Sequence, residues 1–367
     1  MDHDAVPRIF LRRGGPLRPA FCTLARKAQD MNKIDLHIHL PGTVRAETFA
    51  ELSAANNIDL PMPAAELYRR INSDPTDEEQ ERGPWFPLLR VYELISASLR
   101  TRDDFARVVF EALEDGYRES STIYTELAFS PSVHTDLGVA YRDMAAGIAD
   151  GFAMARERLG VDGRAIAAVN REDTPEKATA MVEAVLDHRS DDIVGVGIDF
   201  FELKGMPEKF AEAFQLAGRH GLSRTAHAGE HAPTAETVRT CLELLGCDRI
   251  DHGYQILRDP EIVARCRDAG VFFNVAFTTS RRALIPWRRE SIEKMDDAGL
   301  RVTINSDDPA LFPTTLEREY AIATEVFGAA RLPEFVANAV DATFLGESER
   351  EVLRQRTTDP RTGVLQG

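Results

Sequence analysis

Eight short apolar runs, each followed by a longer stretch in which apolar residues return every three or four positions, recur along this chain. Runs of that kind alternating with helical patterns imply a parallel sheet whose strands are joined by crossover helices. The strand candidates are Ile34 to His39, Thr122 to Phe129, Ala165 to Val169, Val194 to Phe200, Ser223 to His227, Arg249 to His252, Val271 to Val275 and Val302 to Asn305. Eight such units can close a (β/α)8 barrel of the TIM type, so the expected class is α/β. Helical spacing is clear in Phe105, Val108, Val109, Ala112 and Leu113, and again in Val238, Leu242 and Leu245 within Thr234 to Leu245. The interval 41–120 exceeds an ordinary crossover and is expected to hold extra helices between strands one and two, roofing the barrel mouth. No Pro/Ser-rich linker and no internal repeat divides residues 31–367, which read as one domain.

Composition narrows the partners. With 43% hydrophobic residues in 367, the chain can bury one large core. A net charge of -16 argues against nucleic acid and anionic membranes, which require clustered basic surface. A small neutral or cationic molecule suits it better as substrate. No apolar run approaches the roughly 20 residues that cross a bilayer. The four cysteines, Cys22, Cys241, Cys247 and Cys266, form no Cys-x-x-Cys pair, which fits a reducing compartment such as the cytoplasm. Residues 1–30, with Arg8, Arg12, Arg13, Arg18 and Arg26 among Gly and Pro, lack the apolar segment of a secretory signal and read as a disordered leader.

Chemistry concentrates at the ends of the apolar runs: His37-Ile38-His39, His227-Ala228-Gly229-Glu230, Asp251-His252-Gly253 and Ser306-Asp307-Asp308-Pro309. In a (β/α) barrel the carboxyl ends of the strands form the active face, so all four clusters are expected to converge there. His37 and His39, two apart on an extended chain, point to the same side. With His227 and Asp307 they offer three nitrogens and a carboxylate to one zinc ion, leaving room for water. Zinc lowers the pKa of bound water to about 7, which makes a nucleophile available at neutral pH. His252 is expected to take the water's proton or orient the nucleophile, with a fourth-ligand role as the alternative. Glu230, just past a glycine that lets the backbone turn, can reach the substrate as a proton donor.

Several other sites are absent. There is no Pro-Cys-x-x-Cys deaminase pattern, no Gly-x-Ser-x-Gly, no Gly-rich phosphate loop and no His-Glu-x-x-His. Lys204 stands near where two-metal barrels place a bridging lysine, but its loop-like setting favours a surface lysine and one metal per chain. Within 41–120, the acidic stretch Ser73 to Gly83 leads to Trp85 and Phe86, which are candidates for a hydrophobic lid over the substrate.

Leu36-His37-Ile38-His39-Leu40, Thr225-Ala226-His227-Ala228-Gly229-Glu230, Arg249-Ile250-Asp251-His252-Gly253-Tyr254 and Asn305-Ser306-Asp307-Asp308-Pro309 together resemble the adenosine deaminase family of the metal-dependent amidohydrolase superfamily. The resemblance implies a mononuclear zinc barrel that hydrolyses an exocyclic amine from a purine-like ring and releases ammonia. It implies that His37, His39, His227 and Asp307 bind zinc, that Glu230 protonates the ring nitrogen beside the attacked carbon, that His252 assists the nucleophile and that Asp308 bonds the far ring nitrogen.

The specificity positions depart from that family. Pro41 stands where an acid usually contacts the sugar, and Ala128 stands where an arginine usually follows the strand-two glutamate, here Glu126. The usual Asp-Leu-Ala-Gly after strand four is Asp199-Phe200-Phe201-Glu202, which places Glu202 against the substrate in place of a glycine. Strand seven continues into Ala276-Phe277-Thr278-Thr279-Ser280 rather than Cys-Pro-x-Ser-Asn. A buried polar group without its partner costs about 1–3 kcal/mol, so adenosine turnover should suffer. The expected substrate is an adenosine-like aminopurine or nucleoside, with a modified nucleoside, free adenine or another amino-heterocycle as alternatives. A catalytically silent purine-binding protein and a two-metal cyclic amidohydrolase are the other readings.

Overall fold

The computed structural model describes residues 31–73, 86–279 and 285–359, so the leader and Trp85 lie outside the described residues. Among the described residues nine strands run in chain order: β1 (Lys33–His39), β2 (Thr122–Phe129), β3 (Asp162–Asn170), β4 (Ile193–Asp199), β5 (Ser223–Arg224), β6 (His227–Ala228), β7 (Arg249–His252), β8 (Phe272–Val275) and β9 (Arg301–Ile304). They pair in sequence order as one sheet of β1 to β5 and a second of β6 to β9, and all the pairings are parallel. This is the α/β architecture of a (β/α)8 barrel, with strand burial that explains the apolar runs.

The two sheets meet at two seams. The predicted fifth strand is observed as β5 and β6. Ser223 pairs with Gly195 of β4, and His227 pairs with Asp251 of β7. Between them Thr225 N donates to Val196 O at 3.0 Å while Asp251 N donates to Ala226 O at 2.9 Å, so the strand passes its hydrogen bonds from one sheet to the other. At the second seam Ile38 and Asp307 form an isolated parallel bridge. Asp307 N donates to His37 O at 2.8 Å, and His39 N donates to Asp307 O at 3.0 Å.

The interval before β2 does contain extra helices, Ala46–Ala55, Ala64–Ile71 and Phe86–Ser98, ahead of the crossover helix Arg102–Ser120. That crossover begins at a capping box, in which Thr101 accepts from Asp104 N and Asp104 accepts from Thr101 N, and it buries the expected Phe105, Val108, Val109, Ala112 and Leu113. The second predicted helix is shorter than its sequence pattern, Glu236–Glu243. Its Val238 is buried and Leu242 is packed against the core. At the amino end of β7, Arg249 meets Glu126 at 2.6 Å and stacks 3.9 Å from the Phe344 ring, a paired and buried charge at the opposite end of that strand from His252. Among the described residues no helix is long and apolar enough to cross a membrane.

Candidate metal centre and its cavity

The alternation of β1 places Asp35, His37 and His39 on one side of the strand. His37 Nε2 lies 3.1 Å and His39 Nε2 3.3 Å from the same oxygen of Asp307, and His39 Nε2 lies 3.1 Å from His227 Nε2. One ligand atom from each of His37, His39, His227 and Asp307 falls within 4.8 Å of all the others, and all four residues are buried. The strands therefore bring together residues separated by up to 270 positions. Asp307 adopts φ 61° and His252 φ 70°, left-handed conformations that cost a non-glycine residue about 1–3 kcal/mol. The backbone of Asp307 is held there by its two bonds to β1, which aim its carboxylate at both imidazoles.

The donor set fits a cation. Burial disfavours the charge on Asp307, but the adjacent His37 and His39 imidazoles hold its carboxyl well below the usual carboxylate range. Burial and the neighbouring His37, His252 and His39 rings push His227 well below the usual imidazole value, whereas, against burial, Asp251 and Asp307 raise His37 and Asp307 and Asp308 raise His39, so the carboxylates gathered here favour positive charge at the cluster. Two ring nitrogens facing each other at 3.1 Å, with a carboxylate oxygen beside them, is an arrangement that an ion of zinc's preferences satisfies.

A second layer orients these groups. Asp251 accepts from His37 Nδ1 at 3.1 Å and is held by Thr225 Oγ1 at 2.8 Å and Asn274 Nδ2 at 2.7 Å. Burial opposes its charge, yet His37, His227 and Arg249 keep it far below the ordinary carboxyl range. Such a carboxylate–histidine pair sets the tautomer of a metal-binding imidazole. Thr279 Oγ1 donates to the other oxygen of Asp307 at 2.6 Å, and the buried Arg171 donates to His227 O and to Gly205 O. Sequence reasoning gives no role to Asp251, Thr279 or Arg171. For Asp251 a signal exists, since it adjoins His252 at a strand end.

The cavity above this group is lined by His39, Tyr92, Phe200, Phe201, Glu230, His252, Asp308 and Phe312, among others. Glu230 Oε2 lies 3.0 Å from His231 Nδ1 and 3.5 Å from His252 Nε2, and Glu230 Oε1 meets Arg288. Burial raises the Glu230 carboxyl, but His231, His252 and Arg288 outweigh that and hold it well below the usual range. Burial pushes His252 down to about 4 despite the opposing Glu230 charge, so its ring is neutral. The Tyr254 hydroxyl lies 3.0 Å from Ala276 O, accepts from Ala276 N at 3.2 Å and touches His252 Nδ1 at 3.3 Å. The other ring nitrogen of His252, Nε2, faces Glu230. Tyr92 donates to Asp308 Oδ1, and a Cβ added to Gly42 would come 2.8 Å from the Asp308 backbone, so only glycine lets that turn approach.

The remaining sequence candidates have these positions. Glu202 is fully buried behind the loop after β6. One of its oxygens accepts from Gly229 N at 2.7 Å and Thr237 Oγ1 at 2.6 Å, and the other from the backbone N–H groups of Glu230, His231 and Ala232 at 2.7–2.9 Å. Pro41 opens the short turn Pro41–Thr43 directly after β1. Lys204 is exposed at the end of the turn Glu202–Lys204 and is outside the four-residue group. Phe86 begins the helix Phe86–Ser98, whose Leu88, Leu89 and Tyr92 line the cavity.

Comparison with known proteins places these features in context. The family model described as adenosine deaminase matches residues 32–360. The adenine deaminase of Geotalea uraniireducens is 32% identical over 326 residues, 88% of this chain and 89% of that protein. The adenine deaminase of Vibrio parahaemolyticus is 29% identical over 332 residues, 89% of this chain and 95% of that one. Among solved structures, a cog1816 amidohydrolase from Burkholderia ambifaria with bound Zn superimposes with TM-score 0.83 at 28% identity, covering 95% of this chain and 94% of that one. The adenine deaminase of Arthrobacter aurescens superimposes with TM-score 0.81 at 28% identity, covering 89% and 98%.

Proposed function

This chain belongs to the adenosine deaminase family, and from that membership and the geometry of its site we propose that it is a zinc-dependent hydrolase that releases the exocyclic amine of an aminopurine as ammonia. The observation that carries the reading is the convergence of the His37, His39, His227 and Asp307 group with Glu230 and His252 on one cavity. A zinc ion held by His37, His39, His227 and Asp307 would supply a Lewis acid, which lowers the pKa of water to about 7.

The protein's own groups then move the protons. His252 accepts one from the attacking water at Nε2 and hands it to the facing Glu230 carboxylate, which passes it to the ring nitrogen beside the attacked carbon. Because Glu230 rests as a carboxylate, the proton it delivers comes from that water, so the net change at the ring is addition of OH to carbon and H to nitrogen. The second water proton leaves with the amine when the carbon–nitrogen bond breaks, giving ammonia. Asp308, set by Tyr92, bonds the far ring nitrogen, while Phe200, Phe201 and Phe312 pack the ring and exclude water.

Within this class we favour a free aminopurine base such as adenine over a nucleoside. Support comes from Pro41, which offers no donor or charge to a sugar, and from the adenine deaminases among the relatives. The free and buried thiols of Cys241, Cys247 and Cys266 suit a reducing cytoplasm. The test is ammonia release by the zinc-loaded protein from adenine, adenosine, N6-methyl-substituted adenines, AMP and pterins. Adenine is expected to lead. Efficient turnover of plain adenosine overturns the free-base reading, and no ammonia from any member, with zinc bound, overturns the deaminase in favour of a silent purine binder.

A further inference from the structure

The helix Ile285–Asp297 buries Arg288, Ser291, Ile292 and Met295, a stripe with the spacing of a core-facing helix. A guanidinium heads that otherwise uncharged stripe. It also sits in the first turn of its helix, where the positive end of the backbone dipole disfavours a cation. Arg288 nevertheless has 1% exposure. Local rules broken in this way point to a residue retained for a site rather than for folding.

Its contacts identify the site. One terminal nitrogen meets Glu230 Oε1, and the other donates to Thr279 O at 2.8 Å. The guanidinium carbon lies 5.2 Å from the centre of the Tyr254 ring, whose hydroxyl is 3.3 Å from His252 Nδ1. Thr279 in turn donates to Asp307. One side chain thus touches the proton donor directly, and reaches through one intermediary each to the residue proposed as base and to a metal ligand.

We propose that Arg288 is a positioning residue for the deamination: together with His231, which lies 3.0 Å from the other oxygen, it fixes the Glu230 carboxylate so that the oxygen not bonded to Arg288 faces His252 and the ring nitrogen. The assignment rests on the proposed role of Glu230. The fork of the guanidinium matters, because it bonds Glu230 and Thr279 O at once while lying over the Tyr254 ring, which a lysine ammonium cannot reproduce. Arg288 touches neither substrate nor metal in this scheme.

The experiment compares R288M, R288K, E230Q and the double variant R288M/E230Q in zinc-loaded protein, reading kcat and KM on adenine or the aminopurine that the panel selects, together with zinc content and Tm. R288M is expected to lower kcat by about 100-fold or more, within the usual span of acid–base catalysis, with one zinc per chain and KM within about threefold. R288K should fold like the parent and recover only part of kcat. The double variant should be no slower than E230Q alone, since residues acting as a unit are not additive. Unchanged kcat in both R288M and R288K overturns the proposal, as does a loss carried by KM or by zinc content, or a double variant slower by the product of the single losses. If R288M does not fold, full kcat in R288K overturns it and a kcat-only loss there supports it. Retained turnover in E230Q is a separate outcome that removes the role of Glu230 itself.

Discussion

Thr279 and Asp307 illustrate how much of this centre depends on single hydrogen bonds. Asp307 presents one oxygen to His37 and His39 and commits the other to the Thr279 hydroxyl at 2.6 Å. Replacing Thr279 by Val keeps the shape and removes the donor, leaving a buried carboxylate oxygen unpartnered. Such outer contacts alter metal affinity by about 10–100-fold. T279V is therefore expected to bind zinc 10- to 100-fold more weakly, as read by competition with a chromophoric chelator; equal affinity would show the contact to be incidental. The ligands themselves were legible because each lies in a polar cluster at the end of an apolar run. Thr279 was not, because a threonine in an altered loop has no sequence pattern that ties it to an aspartate 28 residues away. Arg288 left one trace, a cation in the first turn of a helix, but its partner Glu230 is 58 residues distant.

Among the elements, the loop after β6 is the one whose shape most directly places a reacting group. Glu202, on the turn after β4, gathers four successive backbone N–H groups from Gly229 to Ala232 as well as the Thr237 hydroxyl. A carboxylate has the acceptor capacity for this; an amide turns one oxygen into a donor facing donors. Each buried donor deprived of its acceptor costs about 1–3 kcal/mol. E202Q is expected to lower unfolding stability by about 3 kcal/mol in urea titration and to reduce kcat by misplacing Glu230. A raised KM with unchanged stability would instead support direct contact of Glu202 with substrate, the expectation from its position in the sequence. The fifth strand shows the same limit of local reading. Its residues are continuous in sequence, but the strand passes from one sheet to the other at Thr225 and Ala226.

At the scale of the whole molecule, β1, β6 and the loop after β9 contribute the four residues that could hold a metal, so an ion bound there would clamp both seams between the sheets. A ligand bound only by the folded state at 1,000 times its Kd adds about 4.1 kcal/mol of stability. Removing metal with a chelator is expected to lower Tm by several degrees, and zinc should restore it; a Tm indifferent to chelator and to added zinc would argue against a resident ion. The crossover helices were foreseeable from their spacing and the extra helices before β2 from the length of the interval 41–120, while the reach of Phe86–Ser98 into the cavity came through Leu88, Leu89 and Tyr92.

The sequence by itself determined the α/β alternation, the strand order that follows from right-handed parallel crossovers, and the residue types gathered at the strand ends, because period and burial are properties of neighbours along the chain. Tertiary structure decided the rest. Whether Glu202 faces substrate or backbone, which carboxylate orients His37, and what charge stands against Glu230 depend on contacts between segments tens to hundreds of residues apart. Those contacts are set by how the strands close and the loops pack, and no local pattern encodes them.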